Sequence, residues 1–358
     1  MRIGAFIKSY HSTQHLLLVL EQYRWVDKIV VLNYRFNSVE PTTDNTREIC
    51  RMFAHPNLIC ESGVGLNQAQ IHNRGIELLR DCDLAWVADA DEIILPKDQQ
   101  IILSEVRGNG WAACCRIVDY NGDLYHAMPD RGYSVVMVSP KHEFAKFVTL
   151  RCLHPSYNQH KIPNATMHHL SLVFPKDVIH WKAGWECKEE GQSKDSLIDA
   201  WKFKREVTPP PELVSLVNEK SKIVYATGCF DLFHYGHLQY LEKAKNYGDK
   251  LLVGVNTDET IRKYKGYSPV IPFEQRFRVI SSLKCVDYVV TQEDGDPSST
   301  LKKLYDKGMN ITAFVRADGK NWGSNVVENN GGRVVKIPHY HEISSTEIKN
   351  KILKEWKG

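Results

Sequence analysis

Three consecutive prolines, Pro209-Pro210-Pro211, constrain this chain more than any other feature. Each locks φ and lacks an N–H, so together they stop a helix and stiffen the chain as polyproline II. On both sides of them short apolar runs alternate with helix-like segments, a rhythm that argues for sheets flanked by helices. The chain therefore divides into residues 1–207, a proline-rich linker over 208–220, and residues 221–358. Each half is long enough to bury its own core.

In the first half the spacing predicts strands at Ile3–Ile7, Lys28–Leu32, Leu58–Cys60 and Leu84–Ala88. Helices are expected at Thr13–Tyr23, from Thr43 or Asp44 as N-cap, and at Gln68–Leu79. This β-α-β-α order predicts a mostly parallel sheet. The fourth strand runs into Asp89-Ala90-Asp91-Glu92. Carboxylates at the end of a buried strand are costly unless solvated, paired or bound to a cation. Asp89 and Asp91 lie on one side of an extended chain, in position to grip Mg²⁺ or Mn²⁺. The bland alternative is a polar loop whose acids cap the next segment. Beyond residue 105, Asp119, Asp123, Asp130 and Glu143 are candidates for a catalytic base, and nothing singles one out. His168-His169, His180-Trp181, Trp185 and Trp201 are candidates for a metal ligand or a sugar-stacking face, or for ordinary packing.

In the second half the apolar run Ile223-Val224-Tyr225-Ala226 leads into Thr227-Gly228-Cys229-Phe230-Asp231-Leu232-Phe233-His234-Tyr235-Gly236-His237, and a helix-like stretch leads out. Two imidazoles then stand three residues apart across a glycine where a helix begins. Unsatisfied N–H groups and the positive helix end favour anions there, and Gly236 lets a phosphate approach the backbone. Cations follow at Arg262, Lys263 and Lys265, and Phe273-Glu274-Gln275-Arg276 opens another helix. Ser344-Ser345-Thr346 starts the last one, with hydroxyls and N–H groups available to an anion. Taken singly, each segment could be solvated surface or a helix cap. Their conjunction is specific: two phosphate-handling helix starts at opposite ends of one βα stretch, with cations between.

The Gly-x-Phe-Asp and His-x-Gly-His residues, with Ile343-Ser344-Ser345-Thr346, resemble the signature of the cytidylyltransferase-like nucleotidyltransferases over about residues 221–353. The resemblance implies a Rossmann-like fold in which a substrate phosphate attacks the α-phosphorus of a nucleoside triphosphate and pyrophosphate leaves. It implies catalytic roles for His234, His237, Lys265 and Arg276. It further implies nucleotide contacts from Thr227, Gly228, Phe230, Asp231, Gly236, Lys263, Ser344, Ser345 and Thr346, with Mg²⁺ accompanying the triphosphate. Phe230–His237 looks like glycerol-3-phosphate cytidylyltransferase. Lys265-Gly266, Glu293–Pro297 and Gly331-Gly332-Arg333-Val334 look like the heptose-phosphate adenylyltransferase branch. CTP is favoured slightly over ATP.

Strand, Thr43–Thr46, Asn73-Arg74-Gly75, strand and Asp89–Glu92 resemble, in that order, the family 2 glycosyltransferases of the GT-A fold over roughly residues 1–105. That implies a mixed sheet with helices on both faces and a metal held by Asp89 and Asp91. The family commonly carries an aspartate after its second strand for the nucleotide base, and here Asn33 stands near that place. The combined expectation is an α/β protein of two domains: a nucleotidyltransferase acting on a phosphorylated polyol or sugar, fused to a metal-dependent glycosyltransferase of surface-glycan or polyol-phosphate biosynthesis. Its expected small-molecule partners are CTP or ATP, the phosphorylated substrate, and a sugar nucleotide with a glycan acceptor. The alternative makes the first half a non-catalytic glycan-binding or docking module.

The net charge of +3 is too small to imply nucleic-acid binding. It is unevenly spread: residues 221–358 hold 21 Lys and Arg against 16 Asp and Glu, whereas residues 1–220 hold 25 against 27. A mildly basic second half suits a phosphorylated ligand. Nine cysteines without a Cys-x-x-Cys pair fit free thiols in a reducing cytoplasm, and Cys229 is expected to pack rather than react. No apolar run approaches the ~18 residues of a membrane span. A homodimer is the candidate assembly.

Overall fold

The computed structural model describes residues 1–9, 13–35, 45–105, 111–121, 123–127, 132–142, 145–149, 152–153, 155, 158–172, 205–218, 221–317, 321–338 and 343–355. It has two compact units: Met1–Cys50 with Asn57–Val217, and Arg51–Pro56 with Asn218–Gly358. Asp130, Glu143, His180, Trp181, Trp185, Trp201 and the expected N-cap at Thr43 or Asp44 lie outside the described residues.

The first unit is built on a ten-stranded sheet. Strands β1 (Ile3–Lys8), β2 (Lys28–Arg35), β3 (Leu58–Val64) and β4 (Leu84–Asp89) are parallel, in the order β4-β1-β2-β3. All six residues of β1 are buried, which is why it reads as one apolar run rather than an alternation. Helices α1 (Thr13–Gln22), α2 (Thr46–Met52) and α3 (Gln68–Leu78) make the crossovers. Asn67 and Gln70 close a reciprocal capping box at the start of α3.

After β5 (Glu92–Ile93) and α4 (Pro96–Ser104) the chain turns to β6 (Trp111–Asn121), β7 (Asp123–Ala127), β8 (Tyr133–Val138), β9 (Phe147–Thr149), β10 (Cys152–Leu153), β11 (Asn158–Leu172) and β12 (Arg205–Glu206). β8 joins β4 antiparallel, β6 joins β8, β7 joins β6, and β12 joins β7, all antiparallel. β11 lies parallel to β6 and antiparallel to β5. The sheet is therefore mixed. The βα rhythm of residues 1–105 gives its parallel half, and the strands beyond residue 110 extend it with mainly antiparallel partners.

Helix α5 (Pro211–Asn218) begins on the last of the three prolines, at the position where a missing N–H costs nothing. The second unit then runs β13 (Ile223–Gly228), α6 (Tyr235–Lys245), β14 (Lys250–Asn256), α7 (Asp258–Lys265), α8 (Phe273–Ser281), β15 (Tyr288–Gln292), α9 (Ser298–Asp306), β16 (Ile311–Arg316), α10 (Ser324–Asn329), β17 (Arg333–Lys336) and α11 (Ser345–Glu355). Its five strands are all parallel, in the order β15-β14-β13-β16-β17. The chain steps outward from β13 to one edge, then crosses to the other side at β16. That switch opens a crevice at the carboxyl ends of β13 and β16, where open α/β sheets take their ligands. Val224, Ala226, Leu251, Val253, Ala313 and Val315 fill the core beneath it.

Candidate functional site

The strand β13 ends at Gly228, where a Cβ would meet the Phe230 ring at 2.9 Å. The turn that follows holds two side-chain-bearing residues in the left-handed region, Phe230 at φ 53° and Leu232 at φ 47°. Between them Asp231 is 3% exposed, and its carboxylate accepts the N–H groups of Val270 and Ile271. The turn delivers the chain to His234, the N-cap of α6.

The helix start fixes both imidazoles. The Gly236 N–H donates to His234 Nδ1 at 3.2 Å, and the His234 N–H donates to His237 Nδ1 at 3.4 Å. With Nδ1 accepting, a neutral ring carries its hydrogen on Nε2. The rings stack 3.9 Å apart at 28°, and Phe230 and Phe233 pack on His237. Burial lowers the pKa of both; for His237, with His234 and Lys265 nearby, it falls to about 4. At neutral pH the pair therefore presents two uncharged Nε2–H donors beside the positive end of α6.

These rings line a pocket of about 590 Å³. Thr227, Gly228, Phe230 and Gly236 line it with them, and Lys265 brings a cation. Ser344, Ser345 and Thr346 line it from the start of α11. Ser344 caps that helix by accepting the Glu347 N–H, and Ser345 donates its hydroxyl to the Asp231 carbonyl. The first N–H groups of a helix have no intrahelical acceptor, so α11 is a second anion-favouring terminus on the same pocket. The Thr227 hydroxyl is engaged by the Gly254 carbonyl at 2.9 Å.

Three residues expected at this site lie elsewhere. Arg276 is 1% exposed; its guanidinium donates to the carbonyls of Cys229 and Ile271 and pairs with Asp258 at 2.7 Å. Its charge is thus used to hold the backbone under the motif turn, away from the pocket lining. Lys263 lies over the Tyr264 ring and does not line the pocket. Asp231 is buried and does not line the pocket. Tyr267, Gln239, Tyr240 and Lys243 line the pocket and were not expected. Gly236, Gln239, Tyr240 and Lys243 fall at i, i+3, i+4 and i+7 of one helix, a spacing that marks one face.

The carboxylates of the first unit form a separate cluster. Lys8 and Asp89 are register partners at the ends of β1 and β4 and pair at 3.2 Å. Glu92 accepts the Asp89 N–H at 2.7 Å. His169 sits between Asp91, at 3.4 Å, and Asp119, to which its Nδ1 is hydrogen-bonded. Burial would lower the His169 pKa, but Asp91 and Asp119, with Glu92 beyond, push it up to about 10. Asp89 and Asp91 thus face Lys8 and His169, and among the described residues no group of three or more His, Cys, Asp or Glu side chains is arranged to hold a metal ion. Asn33 lies buried on β2.

Parts of the chain are similar to known proteins. Residues 225–351 match the cytidylyltransferase-like family model. Bifunctional protein HldE of Geobacter sulfurreducens is 38% identical over 136 residues, which cover 38% of this chain and 28% of that protein. Its Trichlorobacter lovleyi counterpart is 33% identical over 188 residues, covering 52% of this chain and 36% of that protein. The chain therefore spans little more than a quarter to a third of the length of these relatives. Among solved structures, a lipopolysaccharide core biosynthesis protein from Thermoplasma volcanium aligns at 28% identity over 34% of this chain and 99% of its own, with TM-score 0.29. S. aureus TarS aligns at 12% identity over 56% of this chain and 71% of its own, with TM-score 0.34. The second half of the chain carries a cytidylyltransferase-like domain. Among the described residues no helix is long and apolar enough to cross a membrane.

Proposed function

We propose that the pocket of the second unit catalyses nucleotidyl transfer from a nucleoside triphosphate to a phosphorylated polyol or sugar. A phosphate oxygen of the substrate bonds to the α-phosphorus, the bond to the bridging oxygen breaks, and pyrophosphate leaves. The observation that carries this reading is the pair of stacked, neutral imidazoles whose Nε2–H groups share one pocket with a second helix start. Such donors are preorganised toward charge developing on the α-phosphate and bridging oxygens. Ser344–Thr346 and the N-terminus of α11 take the β- and γ-phosphates, and Lys265 balances charge on the two approaching phosphates. Thr227, Gly228, Phe230 and Gly236 line the space that takes the nucleotide, while Asp231 orients the turn. Mg²⁺ or Mn²⁺ enters with the triphosphate as part of the substrate. CTP is the proposed donor and ATP its competitor.

For the first unit we propose glycosyl transfer from a sugar nucleotide to a glycan acceptor. The pairing of Asp89 with Lys8 and of Asp91 with His169 favours a second reading, a glycan-binding or docking module without its own chemistry. One set of assays tests both units. Pyrophosphate release is measured with CTP, ATP, GTP and UTP, each crossed with a panel of polyol, sugar and amino-alcohol phosphates. Release with no pair removes the nucleotidyl-transfer reading. Hydrolysis or transfer from sugar nucleotides that Asp91→Asn abolishes supports a catalytic first unit; its absence with every donor favours the docking module.

A further inference from the structure

Helix α11 lines the pocket with its first residues, yet none of its residues is buried. Apolar packing therefore contributes little to seating it. What holds it is polar. Lys349, one turn into the helix, reaches back to Asp231 at 2.7 Å, and Ser345 donates its hydroxyl to the Asp231 carbonyl at 2.7 Å. The Lys349 ammonium also lies 4.6 Å from the centroid of the Tyr267 ring, and Tyr267 lines the pocket.

Asp231 is the common point of three segments. Its carboxylate takes the N–H groups of Val270 and Ile271 from the loop after α7, and Lys349 from α11. It stands between Phe230 and Leu232, both at positive φ. Such residues persist only where their surroundings over-determine them. Two of the groups that fix Asp231, the Lys349 ammonium and the Ser345 hydroxyl, come from α11. Burial would raise the Asp231 pKa, but Lys349 and the two N–H groups hold it below the ordinary carboxylate range. The carboxylate is therefore charged at neutral pH, and the ion pair is intact when the helix is seated.

We propose that Lys349 is a positioning residue: its ion pair with Asp231 and its contact with Tyr267 latch α11 onto the motif turn, so that seating the helix and completing the triphosphate site are one event. This rests on the nucleotidyl-transfer reading of the pocket. Lys349 touches no reacting atom. It sets the fraction of molecules in which Ser344–Thr346 stand ready, and the apparent affinity for the triphosphate falls with that fraction. Saturating triphosphate seats the helix by mass action, so the chemical step is spared.

The test uses the full chain and the variants Lys349→Met, Lys349→Arg and Lys351→Met, with circular dichroism to confirm folding. Met keeps most of the stem over Tyr267 and removes the charge. Lys351 lies on the same helix, has a side chain 73% exposed and, among the described residues, pairs with Glu355 of that helix. Lys349→Met should raise KM for the triphosphate by about tenfold with kcat within about twofold, a shift of roughly 1.4 kcal/mol in the seating equilibrium. Lys349→Arg should restore most of the affinity, and Lys351→Met should change nothing. Hydrogen exchange in apo protein should rise over 345–355 in Lys349→Met while β13 and β14 keep their protection. Wild-type KM together with wild-type exchange in Lys349→Met overturns the latch, as does a fall in kcat with KM unmoved. Wild-type protein that binds no triphosphate overturns the nucleotide reading itself, whereas the exchange measurement reads the latch without nucleotide.

Discussion

His237 meets the pocket through a nitrogen whose hydrogen the helix start has already assigned, because its other nitrogen accepts the His234 N–H. His237→Ala should therefore cut nucleotidyl transfer by about 10²–10³ in kcat, the usual worth of one preorganised donor to developing charge. Circular dichroism should show the fold retained, and a near wild-type rate with the true substrate would remove the histidine from the chemistry. The same residue gives a pH signature. Its folded pKa lies near 4, below the unfolded value of about 6.5. As pH falls through that window the unfolded chain takes up a proton that the folded chain refuses, so His237 contributes a loss of stability between about pH 6.5 and 4 and none further below. Arg276 belongs to this scale as well. Arg276→Met keeps the buried stem but leaves Asp258 and two backbone carbonyls without their donor. Chemical denaturation of the second unit should show a cost of about 3 kcal/mol. An effect on kcat at saturating substrate without loss of stability would return Arg276 to direct catalysis.

At the scale of elements, legibility followed burial. β1, β4, β13 and β14 were readable because both faces of a parallel strand are covered, and the chain writes that as an unbroken apolar run. β6 and β11 were not readable in residues 111–172. β11 is 15 residues long with register shifts against β6, so no single period runs through its sequence. The motif turn and the start of α11 were legible as a pair of helix beginnings, since glycine serves tight turns and serine serves N-caps, and the two occur at opposite ends of one βα stretch. Burial of Arg276 was not legible, because its partners are backbone carbonyls and a side chain 18 positions away. The Asp91–His169–Asp119 cluster was hidden for the same reason: its members come from the turn after β4, from β11 and from β6, far apart in the chain. It yields a prediction of its own. His169→Ala would remove the imidazolium that the buried Asp91 and Asp119 both contact, at a cost of about 3 kcal/mol to the first unit. The pKa of His169 is raised, so its contribution to stability is full below about pH 6.5 and is lost as pH rises toward 10. Thermal melts of wild type and His169→Ala should therefore converge above about pH 10 if this pairing is what matters; a difference that persists unchanged there would assign the effect to packing alone.

At the scale of the whole molecule, the triple proline does not mark the only boundary. Residues Arg51–Pro56 belong to the second compact unit although they precede the prolines by more than 150 positions. Phe53 is 3% exposed and its ring lies 6.4 Å from that of Tyr288; Ala54 joins the core with Phe277 and donates its N–H to the Asp287 carbonyl. A fragment cut at the linker, residues 213–358, therefore keeps every phosphate-handling residue between Thr227 and Thr346 but lacks a short piece of its own core. We expect that fragment to fold and release pyrophosphate, with lower stability than the same unit in the full chain. Burying one Phe side chain is worth about 1.5–3 kcal/mol, so Phe53→Ala in the full chain should reproduce most of the loss. The measurement is residual nucleotidyl transfer after graded heating of three proteins: full chain, Phe53→Ala and the fragment. Full chain should outlast the other two, which should fall together. A fragment as heat-stable as the full chain would show that residues 51–56 add nothing to the second unit. A folded fragment without activity on the substrate that the full chain uses would mean that the first half supplies part of the site.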